Sequence, residues 1–191
     1  RPDDPLRAWD ELIARRGRTV GIGGADAHEF HLLGLKFAPY EALFQMVRTH
    51  VLTSATPLTA ETVYDALRRG HAYVEIPLLG DAQCAFEFFA DDGRHVVGIM
   101  GDDVELIPDL SLTIRLPSAA TITLFRDGQV ADSTQSDVWR VPVATPGVYR
   151  VEVSLSGKPW LFSNPIYVHA PAPAVQTLRE RDTTQSIVDS P

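Results

Sequence analysis

After Gly70 the spacing of apolar residues changes from helical to strand-like, and the rest of the chain reads as short β runs divided by turn formers. Seven such runs, at 72–76, 84–89, 110–116, 121–125, 138–143, 148–155 and 166–168, carry most of the Val, Ile and aromatic residues of that stretch. Asp127-Gly128, between Phe125 and Val130, is a two-residue hairpin signal, and Pro146-Gly147 marks a further turn. Within 148–155, Val148, Arg150 and Glu152 alternate with Tyr149, Val151 and Val153, which predicts one wet face and one buried face. The expected architecture over 77–169 is an antiparallel, Ig-like β-sandwich of two sheets.

The first 76 residues read differently. Asp4 as N-cap, Pro5 at the first helical position and Gly17 as stop predict a helix over 5–16. Tyr40, Leu43, Phe44 and Val47 fall at i, i+3, i+4 and i+7 and predict a second helix over 39–48. A third begins at the cap Thr59, carries Glu61 in its first turn and Val63, Ala66 and Leu67 on one face, and ends at Gly70. The Pro- and Ala-rich, then charged, stretch 170–191 predicts a disordered tail.

Composition removes several functions. The chain has 191 residues, 45% of them hydrophobic, enough for a sizeable core. No run reaches the roughly 18 apolar residues of a membrane span. The net charge of −8 opposes a nucleic-acid-binding role. Arg15-Arg16 and Arg68-Arg69 each sit at a helix end before a Gly, where cations are favoured by the helix dipole, and read as caps rather than phosphate clamps. The single Cys84 forbids an internal disulfide and reads as a buried thiol in a strand.

One stretch carries recognisable chemistry. Apolar residues 19–22 run through Gly23, Gly24 and Ala25 into Asp26-Ala27-His28, a carboxylate and an imidazole two residues apart at the expected end of a strand. Strand ends are where α/β folds place their chemistry, and this oxygen and nitrogen donor pair suits Zn, Mn or Fe. Together with Trp9-Asp10-Glu11-Leu12-Ile13 before it, the stretch resembles the last barrel segment of the PHP (polymerase and histidinol phosphatase) superfamily of metal-dependent phosphoesterases. Residues 64–74 and 160–168 resemble the long-tailed members of carbaryl-hydrolase-like type.

The resemblance implies a (β/α) barrel that ends within residues 1–76, followed by the sandwich, with Asp26 and His28 as the final metal-ligand pair. Ala25 stands where the family often has Ser, a departure that removes a supporting hydroxyl. No His-x-His and no further ligand-bearing barrel strands precede residue 26, so most ligands are expected upstream, in a longer protein of which this chain is the C-terminal part. The implied activity is hydrolysis of a small-molecule ester by metal-activated hydroxide, with the isolated 191 residues inactive. His31, three residues past His28, is a candidate substrate contact.

Competing motifs fail on residue identity. Gly21-Ile22-Gly23 would need its third glycine at Asp26 to bind a dinucleotide, His28-Glu29 would need its second imidazole at Leu32 to form a zincin helix, and no Gly-x-Ser-x-Gly is present. His50 reads as lying near a helix end, His71 as following a C-cap, and His95 and His169 as lying in loops or strand ends; all read as structural or solvated. Asp102-Asp103 reads as a turn. The other reading is a sandwich that binds a carbohydrate or protein with Asp26 and His28 idle, since fold does not fix function. Compartment, whether cytoplasmic or periplasmic, and oligomeric state stay open.

Overall fold

The computed structural model describes residues 4–26, 30–32, 35–37, 40–77 and 85–172. In chain order these form α1 (Pro5–Arg16), β1 (Phe30–Leu32), β2 (Leu35–Phe37), α2 (Tyr40–Leu43), β3 (Arg48–Val51), α3 (Ala60–Arg69), β4 (Ala72–Glu75), β5 (Glu87–Asp91), β6 (Val96–Ile99), β7 (Asp103–Glu105), β8 (Ser111–Arg126), β9 (Gln129–Pro142), β10 (Gly147–Leu155), β11 (Lys158–Ser163) and β12 (Ile166–His169). β1 and β2 pair with each other; the other ten strands join one sheet whose main path runs β3-β4-β11-β10-β8-β5-β6. Every pairing is antiparallel except that of β7 with β12. The chain is therefore mostly antiparallel β-structure with few helices, compatible with the expected sandwich. Strands β3 and β4 join this sheet through β11, so it runs continuously from residue 48 into the C-terminal half.

Two helices form as their caps dictate. The Asp4 Oδ1 accepts from the amides of Leu6 and Arg7, Pro5 opens α1, and the amide of Gly17, at φ 78°, returns to the Ile13 carbonyl. Thr59 and Thr62 cap α3 reciprocally, and Gly70 closes it in the left-handed conformation at φ 82°. The helix expected over 39–48 is instead one turn, α2, followed by the strand β3. Tyr40 and Phe44 still stack, with ring centroids 5.7 Å apart. Beyond them the β-branched Val47, Thr49 and Val51 favour an extended backbone, and β4 supplies its ladder partners in the register Arg48↔Glu75 to Val51↔Ala72.

The expected runs 110–116 and 121–125 are halves of one 16-residue strand, β8. Its first half pairs with β5, its second with β10, and β9 follows both, with an irregularity between Arg115 and Ala120. The hairpin turn at Asp127-Gly128 forms as expected, at φ 52° and 76°. Leu112, Ile114, Ile122 and Leu124 of β8 bury their side chains with Phe88, Val151, Val153, Trp160 and Leu161 in one core. The Tyr149 hydroxyl donates to the Thr145 carbonyl four residues upstream, at 2.7 Å, as sandwich tyrosine corners do. Burial raises its pKa, with partial opposition from Arg126.

The alternation read in 148–155 needs one correction. Tyr149, Val151 and Val153 are buried as expected, but Arg150, assigned to the wet face, is 3% exposed. Helix α1 lies over that face. Strands β6, β7 and β11 were not legible as runs, because they are short and interrupted by Gly98, Asp103 and Pro159. Cys84 and residues 173–191, with the tail expected there, lie outside the described residues.

Candidate functional site

Residues 18–26, expected to contain a strand, belong to no ladder among the described residues. They are fixed instead by side chains that stand in for strand partners. The Trp9 Nε1 donates to the Thr19 carbonyl at 2.9 Å. Asn164 accepts from the Gly21 amide at 2.7 Å and donates through Nδ2 to the Gly21 carbonyl at 2.9 Å and to that of Ala72 at 2.8 Å. Thr49 completes the set, its Oγ1 accepting from the Gly23 amide at 2.9 Å and donating to the Gly23 carbonyl at 3.2 Å.

The glycines here serve close approach. A Cβ on Gly21 would lie 2.8 Å from the Trp9 ring, and one on Gly23 would lie 2.6 Å from methyl groups of Val47 and Val74. Gly24 has open space, and the left-handed residue is Asp26 itself, at φ 44°. Asp26 is exposed at the end of this pinned run. His28 lies outside the described residues. His31 lies in β1, its backbone paired opposite Lys36 of β2.

The start of the segment is held by Arg18, whose guanidinium donates to the carbonyls of Arg69 and Gly101 and pairs with Asp103, while stacking 4.6 Å from the Tyr167 ring centroid. Asp102 and Asp103, expected as a simple turn, each hold an imidazole as well. The His71 Nε2 is 2.7 Å from Asp102 and the His169 Nε2 is 2.6 Å from Asp103.

On the opposite face of the β3–β4 pair lies a polar cluster that sequence reasoning missed. Glu75, with no exposed surface, has the His50 Nε2 at 2.6 Å and the Arg48 Nη1 at 3.8 Å. The His50 ring stacks on Tyr73 at 4.5 Å, and Tyr73 meets Phe86 edge-on at 5.0 Å. His50 is therefore a strand residue facing inward, not one at a helix end. Thr49 and Val74, which touch Gly23, point the other way, so this cluster and the Gly21–Gly23 backbone occupy opposite faces. Among the described residues no three His, Cys, Asp or Glu side chains are grouped to hold a metal ion. No helix among them is long and apolar enough to cross a membrane.

Comparison of the chain with protein-family models, with curated proteins and with solved structures finds no match.

Asn164, also missed, had one signal in the sequence: it is the sole Asn, and it interrupts the β runs next to Pro165. Asn164→Ala removes the side-chain partners of the Gly21 amide and carbonyl and one of the two donors to the Ala72 carbonyl, and the expected loss is about 2–3 kcal/mol of unfolding free energy with faster exchange of the Gly21 amide. Urea unfolding and amide exchange check this; a change below about 0.5 kcal/mol with unaltered Gly21 protection would show that Trp9 and Thr49 suffice.

Proposed function

We propose that these residues are the C-terminal part of a metal-dependent hydrolase acting on a phosphoester or related ester, with Asp26 and His28 contributing to the metal site. The observation that carries the reading is the placement of Asp26. It lies three residues past Gly23, the last of the alternate positions Thr19, Gly21 and Gly23 held by Trp9, Asn164 and Thr49, so the chain leading to its carboxylate is anchored up to that point. The donor chemistry fits, since a carboxylate oxygen with an imidazole nitrogen is a usual part of a Zn, Mn or Fe set. Two ligands leave most coordination positions unfilled, so the remaining donors belong to upstream chain in this reading, and the 191 residues alone hydrolyse nothing.

A bound divalent ion would lower the pKa of water and withdraw charge from the ester oxygens. The chain's own residues orient the ligand pair, and the β-sandwich with the last part of a barrel is the architecture this reading assigns. The test is metal content and phosphodiester hydrolysis of the upstream-extended polypeptide, with Asp26→Ala and His28→Ala. Each substitution is expected to lower hydrolysis more than about 100-fold, since losing a ligand costs at least as much as losing its supporting hydrogen bond. A metal-free polypeptide indifferent to both changes would make Asp26 a turn residue and leave the β-structure as a binding module.

A further inference from the structure

Strands β5, β6, β8 and β9 form a shallow cleft of about 510 Å³ on the sheet surface that faces away from the core. Cross-strand register builds it. Phe89 lies opposite Thr113, Thr113 opposite Arg140, and Arg115 opposite Val138. The β5–β6 turn supplies the other rim through Arg94 and His95.

Nearby carboxylates are already committed. Asp91 Oδ2 accepts from the Thr113 hydroxyl at 2.6 Å, and its Oδ1 accepts from the Arg140 Nε at 3.2 Å, the Arg140 Nη2 at 2.9 Å and the Gly93 amide at 2.9 Å. These four bonds engage both oxygens of the carboxylate. Burial disfavours the charged form, but the hydrogen bonds from Thr113, Arg140 and Gly93 outweigh it and hold the carboxyl below its usual range. Asp92 Oδ1 is likewise spent on the amides of Arg94 and His95, at 2.8 and 2.7 Å, and its Oδ2 lies 3.8 Å from the His95 Nδ1.

Donors face the opening. Arg94 has no ion-pair partner among the described residues. Arg115 lies 5.3 Å from the Phe89 ring centroid and pairs with Glu87 at 3.1 Å, but both side chains are more than half exposed, and such a pair exchanges its partner at little cost. Beside these cations stand two exposed apolar side chains, Val96 and Val138, at 56% and 55%. Guanidinium donors next to an aromatic ring and an apolar wall match a ligand that is anionic at one end and apolar at the other.

We propose that this cleft binds a small organic oxyanion carried on an apolar ring, with the anionic group held by Arg94 and by the half-exposed Arg140, whose Nε and Nη2 stay on Asp91 and leave Nη1 to donate, and the ring against Val96, Val138 and the Arg115–Phe89 stack. The size of the cleft suits one such molecule. The chain's net charge of −8 repels extended polyanions, which favours a small ligand over a nucleic acid or an anionic membrane. The site is independent of the proposed hydrolase activity and stands or falls without it.

The probes are phenyl phosphate and benzoate, with inorganic phosphate and benzyl alcohol as the charge-only and ring-only controls, followed by amide and side-chain NMR on the 191-residue chain. Saturable shifts confined to Phe89, Arg94, Val96, Val138 and Arg140 are expected with a ring-bearing anion. Each control is expected to bind at least about tenfold more weakly, and Arg94→Gln to weaken the ring-bearing anion about tenfold, the scale of one charge-assisted hydrogen bond. Val138→Asp, at an exposed position, is expected to abolish binding by placing a like charge on the wall. The proposal is overturned by the absence of saturable shifts, by equal binding of inorganic phosphate, or by unchanged affinity in Arg94→Gln and Val138→Asp with the fold intact.

Discussion

Replacing Arg150 with Met is expected to lower unfolding free energy by about 3–5 kcal/mol, the scale for breaking a buried ion pair from one side. The guanidinium is 3% exposed and donates to Asp10 through Nε at 2.7 Å and Nη2 at 2.6 Å, and to Glu152 through Nη1 at 2.5 Å. It also stacks against Phe125 at 4.1 Å and lies 5.7 Å from the Trp9 ring. Its pKa is raised: burial works against the charge, and the hydrogen bonds it donates to Asp10 and Glu152 overcome it. Met fills similar volume but leaves two carboxylates, 13% and 25% exposed, without their cation. For a chain of this size the loss corresponds to a fall of roughly 10 °C in Tm.

Asp10 is the residue through which α1 grips the sheet, so the amides of α1 should lose exchange protection before the core does. The double variant Asp10→Leu/Arg150→Met separates charge from packing. Removing both partners is expected to recover much of the loss, because no unpaired carboxylate remains at position 10. A single-variant effect below about 1 kcal/mol would mean that Trp9 and the cap, rather than the ion pair, dock the helix.

Arg150 also shows where sequence reading stops. Its place in a period-two alternation was legible, but the alternation says which face a residue is on and not what covers that face. Caps were read correctly at Asp4, Gly17, Thr59 and Gly70 because each acts within four residues of its own backbone. The helix expected over 39–48 failed for the complementary reason. A spacing of apolar residues is a local preference, and pairing with β4, more than 20 residues on, outweighed it from Arg48 onward. In the candidate site, Asp26 was singled out by its own local motif, while the residues that hold the chain before it, Thr49 and Asn164, come from 26 and 143 residues away from the glycines they hold. Nothing in the local pattern marks such partners. The role of Gly21 and Gly23 as contact points became visible only with Trp9, Val47 and Val74 in place.

Gly101→Ala is expected to be among the most damaging single-methyl additions in this fold, at about 3 kcal/mol or more, from two costs that act together. At φ 98° an L side chain is strained wherever it sits. The added Cβ would also lie 2.5 Å from the Arg69 carbonyl oxygen and 2.6 Å from the Gly70 carbonyl carbon. Those are backbone atoms at the C-cap of α3, and they cannot swing aside as a side chain can. The turn is fixed on its other side too, since the Gly101 amide donates to the Pro165 carbonyl at 2.7 Å. Gly157→Ala isolates the first cost, because Gly157 has φ 75° and nothing within 4 Å of a Cβ; about 1 kcal/mol is expected there. Arg18 bridges the same carbonyls of Arg69 and Gly101, so displacing them loosens the root of residues 18–26 and with it the presentation of Asp26. The expected result is therefore a Tm lowered several times more by Gly101→Ala than by Gly157→Ala, with faster amide exchange at Gly21 and Gly23 in the first variant alone. Equal destabilisation by the two substitutions would show that the α3 cap yields to the turn, and that the segment leading to Asp26 is held by Asn164 and Thr49 without help from this contact.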